Sequence, residues 1–337
     1  MEYLEVEMMS GLGKELAALG ADFWWALGHV FWYFFIGILL AAFIRTYKFH
    51  VRARKYLPML GFWGIFAATI IGMFSPLCAC GVLPIVVSLM VSGLPLAPAM
   101  SLVVASPLMS VEGYGVTAGL LGVDWANAKL VAALFMGLFA GLVTHFITLR
   151  GHLATEDIFK GEVPKGNIHD PDFHDERLAC HCREQWSNRI ARKHPNRFVS
   201  FWAKAAELFV HVGKYTLVGL IIEVLAARYI PADWIAAVFG GDGWFRIPLV
   251  TLAVVPLHLN QITAAGILYG PLNVLERLGS DISWGSGMAF LIGGPVTALP
   301  VMGVFLSLFK ARIFWLYLSL CLTGTVIVST AALLLLT

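Results

Sequence analysis

Charge is scarce in this chain. Asp, Glu, Lys and Arg make up 13% of its 337 residues while hydrophobic residues make up 59%, against roughly 25% charged in a soluble domain. That excludes a soluble enzyme of ordinary composition. Cysteine is scarce too: Cys78 and Cys80, Cys180 and Cys182, and a lone Cys321. An odd number in close pairs is not a secreted disulfide framework, and it points to ligand or redox chemistry. There is no Gly-x-x-x-x-Gly-Lys-Ser/Thr phosphate loop, since Gly11-Leu-Gly-Lys14 is too short, so ATP is not the expected direct energy source. No Ser/His/Asp grouping and no nucleic-acid signature stands out. The expectation is a protein that is no enzyme, needs no cofactor and binds no nucleic acid.

What is present is a series of long apolar blocks: 23–44, 57–77, 81–97, 98–122 and 126–149, then 202–228, 247–258, 261–275, 285–309 and 313–336. A helix of about 20 residues crosses a hydrocarbon core, so the pattern predicts an all-α, multi-pass membrane protein of about ten transmembrane helices. The one charged island, residues 150–201, separates five blocks from five. Basic clusters at Arg45, Lys48, Arg52, Arg54 and Lys55, at the ends of the island, and at Lys310 and Arg312 place these loops in the cytoplasm. The first segment, 1–22, is then outside the cell membrane (the inner membrane of a two-membrane cell), and it lacks the basic start and small-residue cleavage site of a signal peptide. The first membrane repeat is 23–149 and the second 202–337. Each has five helices, so they run in opposite directions.

A weak internal repeat supports this division. Pro76-Leu-Cys-Ala-Cys80 aligns with Pro256-Leu-His-Leu-Asn260 at an offset of 180, and Ala99 to Pro107 aligns with Gly287 to Pro295 at an offset of 188. Pro76, Pro84, Pro95, Pro98 and Pro107 answer Pro248, Pro256, Pro271, Pro295 and Pro300. Proline interrupts helices, and paired interruptions at the membrane midplane point to a transporter's site.

Ser75-Pro-Leu-Cys-Ala-Cys-Gly-Val-Leu-Pro84 is the most informative stretch. Between helix breakers, an extended segment puts Cys78 and Cys80 on one side. A half-helix starting after Gly81 aims its N-terminal dipole at Cys80 and favours thiolate. Two thiolates suit a soft metal or metalloid; the competing reading is that both are small buried hydrophobes. His258 and Asn260 hold the equivalent positions, with Gln261 and Thr263 nearby, and the alternative for His258 is a core histidine satisfied by a carbonyl. Ser106-Pro107 and Gly294-Pro295 resemble the starts of half-helices, with Ser110 and Thr297 near their mouths. Glu112 and Glu223 are the candidates for carrying a coupling proton. For Glu112 the alternative is an interfacial turn at Gly113-Tyr-Gly115. Glu207, His211 and Lys214 form a helical row. In the island, Cys180, His181 and Cys182 beside acidic and imidazole groups could capture a metal, or the stretch is a solvated linker.

The cysteine motif Pro76 to Pro84 and the Ala105-Ser-Pro-Leu108 element resemble the ArsP-type predicted permeases, a family that includes exporters of trivalent organoarsenicals. Gly219-Leu-Ile-Ile222, Ile230-Pro-Ala-Asp-Trp234 and Phe239-Gly-Gly-Asp-Gly243 are similar to that family as well. Where the family usually has Cys-Ser-Cys, this chain has Cys78-Ala79-Cys80. The resemblance implies efflux of a thiophilic metal or metalloid with Cys78 and Cys80 as ligands; the internal repeat adds His258 and Asn260 to complete the site. The partners expected are the bilayer, the cargo, protons as coupling ion and a second copy of the chain. Two other activities fit the same cysteines: a membrane thiol-disulfide oxidoreductase, and a permease for a sulfur-containing anion.

The orientation is open to a direct check. Reporters that act only in the cytoplasm should be active when fused after Lys55 or Arg312, and reporters that act only outside should be active at the N-terminus; the reverse pattern overturns the assignment.

Overall fold

The computed structural model describes residues 61–75, 94–151, 196–229, 245–255, 261–269, 283–297 and 309–336, and parts of 17–46, 82–90 and 302–306, with residue 190. Nine helices with settled ends lie among the described residues: α1 (Gly61–Phe74), α2 (Leu96–Ala105), α3 (Val111–Leu120), α4 (Val123–Leu149), α5 (Arg197–Tyr229), α6 (Arg246–Val254), α7 (Gln261–Tyr269), α8 (Trp284–Val296) and α9 (Ala311–Leu336). The described residues of 17–46, 82–90 and 302–306 are helical too. The chain is therefore all-helical, as its apolar blocks predict.

Two helices, α4 with 27 residues and α9 with 26, are long and apolar enough to cross a membrane; at 1.5 Å per residue each is roughly 40 Å long. Exposed Val131, Phe135, Phe146 and Leu149 on α4, and Trp315, Ile327, Leu334 and Leu335 on α9, form the apolar outer surface that lipid covers. By contrast α2 and α3 have 10 residues each and α6 and α7 have 9. Each is roughly 15 Å, half of a hydrocarbon core.

The short helices line up along the long ones. Ala105 faces Gly137 and Ala97 faces Gly141, while Thr117 of α3 meets Lys129. The numbers fall on one helix as they rise on the other, so α2 and α3 lie end to end, antiparallel to α4, as one helix interrupted at 106–110. In the second half, Gly285 faces Ser329 and Gly293 faces Thr325, and the ring of Phe305 stacks on Tyr317. Thus α8 and the helical residues at 302–306 lie along α9 in the same way.

The offset of 188 read from the sequence maps one set of contacts onto the other. Ala97 with Gly141 becomes Gly285 with Ser329, Ala105 with Gly137 becomes Gly293 with Thr325, and Thr117 with Lys129 becomes Phe305 with Tyr317. The same offset carries Met136 onto Gly324, and those two residues touch each other where α4 meets α9. Helices α1, α2 and α4 pack mutually, and so do α6, α8 and α9.

Close packing here depends on small residues, because lipid gives helices no hydrophobic reason to associate. On α4, a Cβ at Gly137 would stand 2.5 Å from Thr69 Cγ2 and 3.1 Å from Ala105 Cβ, and one at Gly141 would run into Ser101 Oγ and Ile65 Cγ2. The hydroxyls at these seams donate to carbonyls of their own helices: Thr69 to Ile65 O at 2.8 Å, Thr144 to Ala140 O at 2.6 Å, Thr251 to Ile247 O at 2.8 Å and Thr325 to Cys321 O at 2.7 Å. These four hydroxyls therefore ask nothing of the neighbouring helix.

Filling the seam should separate the helices. Gly137→Leu is expected to cost about 1–3 kcal/mol through overpacking, seen as a lower thermal midpoint in detergent, whereas Gly119→Ala, with open space around it, should melt like the parent.

Candidate functional site

The interruption between α2 and α3 is built by Ser106-Pro107-Leu-Met-Ser110. Ser106 caps the end of α2, its N–H donating to Leu102 O, and Pro107, which lacks an N–H, sits in the turn that follows. Ser110 then starts α3: its backbone is extended, at φ −144° and ψ 164°, and its Oγ accepts from Gly113 N at 3.0 Å. This corrects the reading of Ser106-Pro107 as a helix start. The motif closes one half-helix, and the cap of the next is Ser110. Gly294-Pro295 likewise lies at the end of α8, where Thr297 is the C-cap and its Oγ1 donates to Gly293 O at 2.8 Å.

Ser110 also receives a bond from the other half of the chain. Gln261 Nε2, on the first residue of α7, donates to Ser110 Oγ at 2.7 Å. The approach needs Gly113: a Cβ there would sit 2.5 Å from Gln261 Cδ and 2.9 Å from its Nε2. Gln261 Oε1 is buried and has no hydrogen-bond partner among the described residues, so the site holds an unused acceptor.

From Ser110 the polar line continues along α3. Thr117 Oγ1 donates to Gly113 O at 2.7 Å and accepts from Lys129 Nζ of α4 at 3.3 Å. Lys129 is completely buried within a helix long enough to span a membrane. One turn earlier on α4, Trp125 stacks on Trp284, the first residue of α8, with ring centroids 4.0 Å apart, and Tyr114 OH donates to Asn127 Oδ1 at 2.8 Å. The start of α4 is thereby tied to α3 and to α8.

The residues singled out from sequence fall differently against this line. Cys78, Cys80, His258, Asn260, Cys180, His181 and Cys182 lie outside the described residues. Their flanks are described: α1 ends at Phe74 and the next described helical residue is Val82; α6 ends at Val254 and α7 begins at Gln261. His258 and Asn260 precede Gln261 by three residues and one. Glu112 is half-buried in the first turn of α3, where a carboxylate complements the helix dipole. Gly113-Tyr-Gly115, the alternative turn, is helical. Glu223 belongs to α5, and its side chain is outside the described set. Among the described residues no three His, Cys, Asp or Glu side chains group as a metal site, and Cys321 is a free buried thiol.

Sequence reasoning missed Lys129. The signal was there: it is the one ionisable residue inside the block 126–149 before His145, and an intramembrane charge is a functional candidate by default.

Interrupted helices paired along two long ones, around a buried polar line, are the build of a membrane permease. The chain belongs to the predicted-permease family whose model, ArsP_1, matches residues 21–334. The UPF0718 protein YcgR of Bacillus subtilis is 21% identical over 286 residues, covering 84% of this chain and 86% of that protein. A Streptococcus mutans protein with the provisional name of two-component membrane permease complex subunit is 22% identical over 279 residues, 82% of each chain. No solved structure matches significantly.

The link between Ser110 and Gln261 can be weighed by a double-mutant cycle. Ser110→Ala and Gln261→Ala, singly and together, should reveal a coupling of about 0.6 kcal/mol, the usual size for a hydrogen bond between membrane helices; additive effects would mean that the bond contributes nothing.

Proposed function

We propose that this permease exports a thiophilic metal or metalloid, a trivalent organoarsenical or a soft metal ion, by alternating access driven by protons. The observation that carries this reading is the Ser110 to Gln261 bond. It brings α7, whose first residue follows His258 and Asn260, against the interruption of α3. By the 180-residue offset the cysteine motif corresponds in sequence to the stretch that precedes α7, and it follows the end of α1. Cys78 and Cys80 bind the cargo as thiolates, and His258 and Asn260 complete its coordination.

The two halves are inverted repeats, and their interruptions lie near the membrane midplane. Supporting this are the contacts related by the offset of 188 and the half-membrane length of α2 and α3. The chain sits in the cell (inner) membrane with the end of α4 at Arg150 in the cytoplasm, as the basic loops require. The charged island that leads into α5 lies in the cytoplasm, its last residues, from Arg197 on, belonging to that helix rather than to a loop, and there Cys180, His181 and Cys182 collect metal before it enters. The name of the Streptococcus relative adds a second permease subunit to the expected second copy of this chain as a partner.

In everted vesicles, which present the cytoplasmic face, the parent should accumulate methylarsenite, and Cys78→Ser with Cys80→Ser should cut uptake by at least about tenfold, as loss of both soft ligands requires. Uptake equal to the parent's in the double variant would sink the thiolate site.

A further inference from the structure

Lys129 is the ionisable group of the polar line, and the proposed cargo site does not use it. It lies six residues into α4, about 9 Å along the helix, and its side chain is fully buried. A lysine this close to a helix end would ordinarily extend its ammonium to the interface. Here the Nζ turns inward to Thr117 Oγ1, at 3.3 Å. From Thr117 the line passes through the Gly113 peptide to Ser110 Oγ, and on to Gln261.

Among the described residues, the surroundings hold little that could neutralise a charge. Of the helices packed on α4, namely α1, α2, α3, α8 and α9, α1, α2 and α8 carry no titratable residue. The α3 helix carries Glu112 and Tyr114, and α9 carries Arg312, Tyr317 and Cys321; α4 itself adds Asp124 and His145. Tyr114 and Tyr317 donate their hydroxyls to Asn127 Oδ1 and Val296 O. Glu112 is five residues from Thr117 and so on another face of α3. Lys129 has no ion pair among the described residues, and a buried charge without one is held at a cost.

Packing does not demand that charge. The offset of 188 carries Lys129 onto Tyr317 and Thr117 onto Phe305, and there the two rings stack with centroids 4.5 Å apart and planes 19° apart. The same place in the same scaffold is filled by an aromatic pair in one half and by an amine and a hydroxyl in the other.

We propose that Lys129 carries the coupling proton, an assignment that rests on the permease reading above. With the protein open outward and its cargo released, the neutral amine takes a proton from outside and becomes an ammonium. With the protein open inward, the ammonium gives that proton to the cytoplasm as cargo binds. Only an N–H bond forms and breaks, and one proton enters for each cargo that leaves. A lysine can alternate between these forms, whereas arginine keeps its charge throughout.

Proteoliposomes holding the parent, Lys129→Met or Lys129→Arg, with methylarsenite as cargo and a pH dye inside, test this. Counterflow, which exchanges cargo without a proton gradient, should stay near the parent's in Lys129→Met and fall in Lys129→Arg, whose fixed charge opposes cargo binding, while cargo-linked proton movement should fall by at least about tenfold in both, as removal of a proton-transfer group does. Proton movement retained by Lys129→Arg overturns the proposal in favour of a fixed cation that binds an anion, and proton movement retained by Lys129→Met overturns it outright. Counterflow lost in both variants while the parent exchanges cargo assigns Lys129 to the structure instead, and also overturns it. Where one variant alone keeps counterflow, that variant decides. A parent that exchanges no cargo overturns the permease reading, and the proposal falls with it.

Discussion

Hydrocarbon offers no partner to a peptide N–H or C=O, and each one left open there costs several kcal/mol. A helix can be interrupted inside a membrane only where protein closes the exposed ends. This constraint explains the polar side chains between α2 and α3. Ser110 Oγ takes the Gly113 N–H, and Gln261 reaches across from α7 to hold Ser110. At the end of α8 the task falls to Tyr317, whose hydroxyl donates to Val296 O at 2.6 Å. The interruptions persist because α4, α7 and α9 are placed to complete them.

The same scaffold carries two chemistries. Ser110 and Gln261 correspond by the offsets 188 and 180 to Ala298 and Gly81, which have neither hydroxyl nor amide. Likewise Thr117 and Lys129 correspond to Phe305 and Tyr317. The repeated geometry is made by small residues at helix seams, Gly137, Gly141, Gly285 and Gly293 among them. The polar line belongs to one side only.

Much of this was legible in the chain before any coordinates. Hydropathy marked an all-helical membrane chain because lipid imposes one length and one polarity on a crossing helix. Pro107 marked the interruption between α2 and α3 because proline removes an N–H. The side on which a proline motif acts was not legible: Ser106-Pro107 was taken for a start and proved to be an end, since a cap is fixed by backbone angles that only neighbouring helices determine. Lys129 escaped for a related reason. A lysine a few residues into an apolar block looks like one that reaches for the interface, and only the position of Thr117 shows that it turns inward. The pairing of Ser110 with Gln261 spans 151 residues and leaves no local trace.

Met136 and Gly324 are related by the 188-residue offset and touch each other where α4 meets α9. The thioether of Met136 rests in the hollow left by the missing side chain at Gly324, a fit that depends on these two positions carrying different residues.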